Sequence, residues 1–289
     1  MLVTKPLIIF GTGRSGTTIF YQMLSEHPHV AWLSSLCERY PDKPFLNRYL
    51  MRALDLPVVG NFLRTQIHPS EAYGFWAFYA KGFRSPCRDL VAEDVTAKMK
   101  RDLRQAMSEM LTPRRHRLLL KITGWPRLGF LAEVFEDAKF IHVVRDGRAV
   151  ANSFLNVDFW QGWGGPQKWR WGPLPSHYRE VWERYGRSFI VLAALQWKLL
   201  MDAAEAAIER VGAERVLEVR YEALCVDPIA VFRKVAAFGE LEWRADFEAR
   251  LRKYRLENMN AKYTQELTLQ QQRDLNAVLA DYLKKFGYE

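Results

Sequence analysis

Cysteine is scarce in this chain: Cys37, Cys87 and Cys225 are the only three in 289 residues, widely spaced and never in a C-x-x-C pair. That pattern excludes a disulfide framework and a thiolate zinc site, and it fits a reducing compartment. Long apolar runs are missing as well. No stretch reaches the roughly 20 residues that span a bilayer, so no integral membrane segment is expected. The first apolar run is short and flows directly into glycines, unlike a secretory signal. The expected location is the cytoplasm. Internal repeats and low-complexity linkers are also absent, which makes residues 1–289 one expected domain. Basic residues outnumber acidic ones, 42 against 33, for a net charge of +9 and a pI near 9.4. Yet no Lys/Arg stripe interleaved with aromatics is present, and the densest basic cluster, Pro113–Arg117, is too short for a nucleic-acid surface. Nucleic acid is therefore not an expected partner. An anionic cofactor or substrate is.

What is present is organised around Leu7-Ile8-Ile9-Phe10-Gly11-Thr12-Gly13-Arg14-Ser15-Gly16-Thr17-Thr18. Four apolar residues make a buried strand, three glycines a turn, and Ile19 to Leu24 the body of a helix. Strand, tight turn and helix start aim backbone N–H groups and a positive helix end at one point, which is an anion site. Gly11, Gly13 and Gly16 match the dinucleotide pattern G-x-G-x-x-G. That reading wants an acidic residue closing the second strand, and here Val30–Leu33 is followed by Ser34-Ser35. Gly11 and Gly16-Thr17-Thr18 also match the P-loop frame G-x-x-x-x-G-K-[ST], with Thr17 replacing the lysine that reaches the β- and γ-phosphates. Its loss argues against ATP or GTP hydrolysis and against a small-molecule kinase. Arg14 supplies a cation from within the loop. The loop thus suits a phosphate-like group that lacks a γ-phosphate.

Further along, His27-Pro28 ends the first helix, because a residue before proline avoids the helical region. Residues 34–112 hold no convincing strand, are punctuated by prolines at 41, 44, 57, 69 and 86, and become helix-compatible over Glu93–Leu111. They read as a helical insertion over the loop's mouth. The α/β rhythm then resumes: strands at Arg117–Ile122, Lys139–Val144 and Arg215–Arg220, helices at Pro126–Phe135, Ala149–Leu155 and Pro228–Phe238, and a long helix predicted over Tyr178–Val211. A polar helical tail runs from Glu248, ending in a helix over Leu275–Phe286. Apolar strands alternating with helices imply a parallel sheet covered on both faces, an α/β fold. Residues 156–180 interrupt it with Trp160, Trp163, Trp169 and Trp171 among glycines and prolines, which reads as a lid or substrate wall.

A second stretch, Val143-Val144-Arg145-Asp146-Gly147-Arg148-Ala149-Val150-Ala151-Asn152-Ser153, pairs an arginine at a strand end with a serine eight residues later on the next helix. Together with Gly13-Arg14-Ser15-Gly16-Thr17-Thr18 it closely resembles the sulfotransferase family that uses 3′-phosphoadenosine 5′-phosphosulfate (PAPS), in its bacterial branch. The resemblance implies a P-loop-like three-layer fold. It implies a 5′-phosphosulfate loop at Arg14, Ser15, Gly16, Thr17 and Thr18, and a 3′-phosphate grip by Arg145 and Ser153. Lys121, ending its strand, resembles the family lysine at the bridging oxygen of the phosphosulfate. Val219-Arg220-Tyr221-Glu222-Ala223-Leu224 resembles a family stretch whose tyrosine, here Tyr221, lies near the adenine. Asn260-Ala261-Lys262-Tyr263 is similar to a cofactor-closing segment and nominates Lys262. The implied reaction is metal-free transfer of a sulfuryl group to a hydroxyl or amine of a small-molecule, lipid or carbohydrate acceptor, leaving adenosine 3′,5′-bisphosphate. A catalytically dead nucleotide-binding module is the alternative from another class.

The general base is open at this stage. One branch of the family carries a histidine two residues after the strand-ending lysine, and Thr123 holds that position here. Other branches use a glutamate after the second strand, which nominates Glu38. A carboxylate in a desolvated cleft can reach a useful pKa. His68 and His177, in loops, are the other options. The acceptor specificity is expected in residues 40–112 and 156–180, where the resemblance thins.

Overall fold

The computed structural model describes residues 1–84 and 87–288. Pro86, among the prolines taken to punctuate the insertion, lies outside them. Five strands form one parallel sheet in the order β2-β3-β1-β4-β5. They are β1 (Leu7–Gly11), β2 (Val30–Trp32), β3 (Arg117–Thr123), β4 (Lys139–Val144) and β5 (Val216–Arg220). Each apolar run identified in the sequence forms its strand, and every residue of β1 and β2 is buried. Continuous burial is what a parallel sheet covered by helices demands. The chain leaves β1 for β2 and β3 on one side, then crosses to β4 and β5 on the other. A crevice therefore opens at the carboxyl ends of β1, β3 and β4, where such sheets bind ligands.

Helices pack around the sheet in two buried groups. One joins strand side chains such as Ile9, Leu120 and Ile141 to the helices Thr17–Ser25 and Pro228–Gly239. The other centres on Phe189–Val211 and joins Gly147–Leu155 with Leu269–Lys285. Residues 34–112 carry helices and no strand among the described residues, including Phe45–Ala53, Tyr73–Tyr79 and Ala97–Met110. No described helix is long and apolar enough to cross a membrane.

Several helix boundaries differ from the sequence expectation: the last helix begins at Leu269 instead of Leu275, and the tail expected to be helical from Glu248 is non-helical between Leu251 and Lys262. The predicted helix over Tyr178–Val211 is two helices, Ser176–Arg184 and Phe189–Val211, because Gly186 and Arg187 both take positive φ, 64° and 58°. An apolar period that runs through the break hides it from pattern reading. The helix expected from Pro126 begins at Leu128, since Arg127 sits left-handed at φ 52° as its N-cap. The helix expected from Glu93 begins at Ala97, where the Thr96 side chain accepts from the Met99 N–H at 3.2 Å. A side-chain cap fixes that start more sharply than hydropathy does.

Candidate active site

The glycine loop after β1 is built by backbone conformation. Gly13 and Gly16 take φ of 79° and 88°, and Arg14 between them is also left-handed at 55°. Gly16 caps the helix Thr17–Ser25, so no side chain occupies the first free N–H groups. A methyl at Gly16 would stand 2.5 Å from Cδ2 of Tyr221, so a larger residue cannot be accommodated there. Ser15 is 1% exposed and its Oγ has no partner among the described residues. That hydroxyl lies against the end of β1, where a methyl at Gly11 would stand 2.8 Å from it.

The second motif closes on the first. Arg14 donates from Nε to Ser153 Oγ at 2.9 Å, and Arg145 donates to the Arg14 carbonyl at 3.0 Å. Arg145 is held further by the Asn260 Oδ1 acceptor at 2.9 Å and by the Tyr221 ring, 4.4 Å from its guanidinium carbon. Asp146 does not neutralise it, because that carboxylate pairs with Arg148 at 2.7 Å and caps the helix Gly147–Leu155. Arg14, Arg145, Ser153 and Lys262 line one cavity of about 220 Å³. Lys262 stands at its exposed edge, paired with Glu266 at 3.0 Å. Two residues of the quoted stretches that were not nominated, Glu222 and Asn260, complete this side. Glu222 accepts from Asn260 Nδ2 at 2.5 Å, from the Asp146 N–H at 3.2 Å and from the Tyr288 hydroxyl at 3.0 Å, and so fixes the amide that fixes Arg145. A carboxylate directly after the Tyr221 of the resembling stretch was the available sequence signal for it.

The end of β3 carries the other half. Lys121 is 6% exposed and donates to Thr18 Oγ1 at 2.8 Å, which ties it to the glycine loop. Its second partner is Glu71 Oε1 at 2.9 Å, and the other Glu71 oxygen accepts from Thr123 Oγ1 at 2.7 Å. Glu71 belongs to the insertion and escaped the sequence reading. Its segment is pinned by the Ser70 N–H on the Leu33 carbonyl at 2.7 Å and by Trp76 Nε1 on Glu71's own carbonyl at 3.1 Å. Tyr73 adds a hydroxyl on the Thr123 carbonyl at 3.1 Å. Burial and the Glu71 charge push its pKa well up, so it stays protonated.

Glu38, nominated as base, is placed differently. Its carboxylate accepts from the Gly74 N–H at 2.6 Å and pairs with Arg84 at 3.3 Å, at the start of the helix Tyr73–Tyr79. No hydrogen bond joins it to Lys121 or Thr123 among the described residues. His68 and His177 are both exposed, His177 against the Tyr178 ring. His142 is buried against Phe10, and burial lowers its pKa to about 3, which keeps it neutral. Of the four tryptophans in 156–171, Trp160, Trp169 and Trp171 are buried. Trp171 presses on the backbone after β3: a methyl at Gly124 would stand 2.5 Å from its ring.

A glycine loop without the P-loop lysine, an Arg145–Ser153 pair closing on it and a strand-end lysine are thus gathered at one crevice. The model of the sulfotransferase family matches residues 6–245. This chain belongs to the sulfotransferase family. The chemistry of this sulfotransferase is sulfuryl transfer. Over its whole length it is similar to omega-hydroxy-beta-dihydromenaquinone-9 sulfotransferase Stf3 of Mycobacterium bovis, at 23% identity over 76% of that protein. Among solved structures it shares its fold with sulfotransferase STF9 from Mycobacterium avium, with a TM-score of 0.61 at 19% identity, covering 99% of this chain and 77% of that one. The sulfotransferase domain of the Synechococcus PCC 7002 olefin synthase gives 0.52 at 18% identity, covering 99% and 96%. The α/β parallel-sheet expectation and the family assignment both stand.

Proposed function

We propose that this sulfotransferase moves the sulfuryl group of PAPS to the hydroxyl of a small-molecule acceptor in the cytoplasm, without a metal. The observation that carries the reading is a pair of separate anion cradles in one crevice: the loop at the start of the helix Thr17–Ser25, and the cavity between Arg14, Arg145 and Lys262. PAPS has two anions to match them. Ser15, Gly16, Thr17 and Thr18 would hold the phosphosulfate, and Arg14, Arg145 and Ser153 the 3′-phosphate. Lys262 would close over its edge, and Tyr221 would stay as the shared wall of Gly16 and Arg145. An arginine fork with a hydroxyl is a strong grip on a phosphate. When bound, PAPS supplies an activated sulfuryl group.

The chain's own residues divide the remaining work. Lys121, buried and fixed by Thr18, offers a cation preorganised toward charge that builds on the leaving phosphate oxygen. Glu71, with one oxygen on Lys121 and one on Thr123, is our choice of base over Glu38 because its partners stand at the end of β3 beside the loop, whereas Glu38 is bonded to Gly74 and Arg84. An ionised carboxylate has about four acceptor sites, so Glu71 retains capacity for an acceptor hydroxyl and its proton. The relative named above acts, by its name, on a menaquinone-derived alcohol, which supports a hydroxyl-bearing acceptor here.

The test is thermal stabilisation by adenosine 3′,5′-bisphosphate against ADP. A ligand that binds only the folded state raises the melting temperature according to its affinity. The bisphosphate should stabilise more, and Arg145→Ala should abolish the difference by weakening its binding about 10- to 100-fold. Equal shifts from the two nucleotides in the parent protein would sink the reading.

A further inference from the structure

Beside the Thr123 end of the crevice lies a small cavity of about 230 Å³ whose charge is one-sided. Arg84, Arg127 and Arg170 line it, with Tyr73, Phe83, Thr123 and Trp171, and no carboxylate is in its wall among the described residues. Arg84 is answered by Glu38 at 3.3 Å. The other two guanidinium groups have no ion pair among the described residues. Arg170 is exposed and lies over the Trp171 ring at 4.9 Å. Arg127 is 4% exposed. Among the described residues its side chain donates only to the Trp125 and Phe83 carbonyls, at 2.8 and 3.1 Å, and its Nε has no partner. Two carboxylates stand near it and neither pairs with its guanidinium: Asp89 accepts from the Arg127 backbone N–H at 2.7 Å, and Glu71 is bonded to Lys121 and Thr123. A buried cation without a matched anion is costly, and a ligand anion relieves that cost. The remaining walls are flat: Phe83 stacks beneath the Arg127 guanidinium at 4.6 Å, and Trp171 and Tyr73 close the sides.

We propose that this cavity takes the acceptor as an anion: a small aromatic hydroxy acid, with its carboxylate between Arg127 and Arg170 and its ring against Trp171. Its hydroxyl then faces Thr123, whose Oγ1 is one hydrogen bond from Glu71. The volume suits a single substituted ring. The inference rests on the sulfotransferase reading above and narrows its acceptor.

The experiment compares 4-hydroxyphenylacetate with its neutral near-isostere 4-hydroxyphenylacetamide, by tryptophan-fluorescence titration with and without adenosine 3′,5′-bisphosphate. The acid should bind about tenfold or more tighter than the amide, the scale of a charge-assisted hydrogen bond. Arg170→Gln should bring that ratio close to one while leaving amide and bisphosphate affinities unchanged. Lys253→Gln, which removes an exposed charge elsewhere, should leave the ratio intact and so exclude a general effect of the basic surface. Equal affinity for acid and amide, binding of neither, or a parallel loss of both in Arg170→Gln overturns the inference. If the bisphosphate fails to bind, the parent reading falls, and the acid-to-amide ratio measured without nucleotide still decides the cavity. If the bisphosphate binds and the acid is not preferred, only the acceptor class is wrong.

Discussion

The nucleotide side and the acceptor side of the crevice are built by different means. On the nucleotide side most of the groups sit on, or directly after, a strand of the buried sheet: the loop after β1, Lys121 in β3, Arg145 after β4 and Tyr221 after β5, with Ser153 on the helix after β4 and Asn260 and Lys262 added from the C-terminal segment. Ser15, Thr17, Lys121 and Arg145 are each under 9% exposed. On the acceptor side Thr123 and Arg127 come from the end of β3 and the turn after it, but the other groups come from the insertion and the tryptophan segment, and Arg84 and Arg170 stand in solvent. A rigid sheet can hold a fixed donor, while loops can vary to suit an acceptor without disturbing it. Glu71 is where the halves meet, since it is carried by the insertion and hydrogen-bonded to β3.

The largest expected effect tests that junction. Glu71→Gln should lower kcat by about 10²- to 10⁴-fold, the usual contribution of a general base, while leaving bisphosphate affinity within a few-fold. Glu38→Gln, on the same side but tied to Gly74 and Arg84, should cost less than about tenfold by the same scale. Steady-state kinetics beside bisphosphate titration measures both. A reversed order would return the base to Glu38.

The same division explains what the sequence discloses. β1, β3 and β4 are predominantly apolar runs because both faces of the sheet are covered, so they stand out from the surrounding pattern. The Arg145–Ser153 spacing is legible because strand and helix place both residues at the crevice within one short stretch. Glu71 is not. Its partner Thr123 is 52 positions away, and the segment between has no period linking them. Arg127 is hidden for a related reason: a left-handed arginine with a buried guanidinium has no signature in a string of residue types. Glu38 matched a positional expectation, but its carboxylate was drawn into the start of a helix that only the fold reveals.

The sheet beneath the nucleotide side makes a second, smaller prediction. His142 in β4 is stacked on Phe10, its Nε2 has no partner among the described residues, and burial lowers its pKa to about 3. The folded value is below the unfolded one, so between about pH 6.5 and 3 the unfolded chain binds the proton preferentially. Stability from this site is complete above pH 6.5 and is lost as the pH falls. His27, lowered to about 4 mainly by burial, adds in the same direction. The expected loss from His142 alone is about 1–2 kcal/mol at pH 5. Urea unfolding across pH 5–7 should show this slope, and His142→Phe should reduce it by about half, His27 supplying the rest. An unchanged slope in that variant would place the acid sensitivity elsewhere.

The smallest effect concerns Glu222, which touches no donor or acceptor atom in the arrangement proposed here and acts through Asn260 on Arg145. Glu222→Gln keeps the shape and one acceptor oxygen, so Asn260 can still be held. The charge is lost, however, and with it the charge-assisted part of the Asn260, Asp146 and Tyr288 contacts. A cost of about 1 kcal/mol is expected, the net value of an ordinary hydrogen bond, seen as a several-fold weaker adenosine 3′,5′-bisphosphate affinity. A merely structural role would weaken ADP equally. A positioning role confined to the Arg145 cradle leaves ADP binding and the acid-to-amide ratio on the acceptor side untouched, because neither depends on where the Arg145 guanidinium points. Titration of both nucleotides against the same variant separates the two roles, and equal losses would mean that the halves of the crevice are less independent than their construction implies.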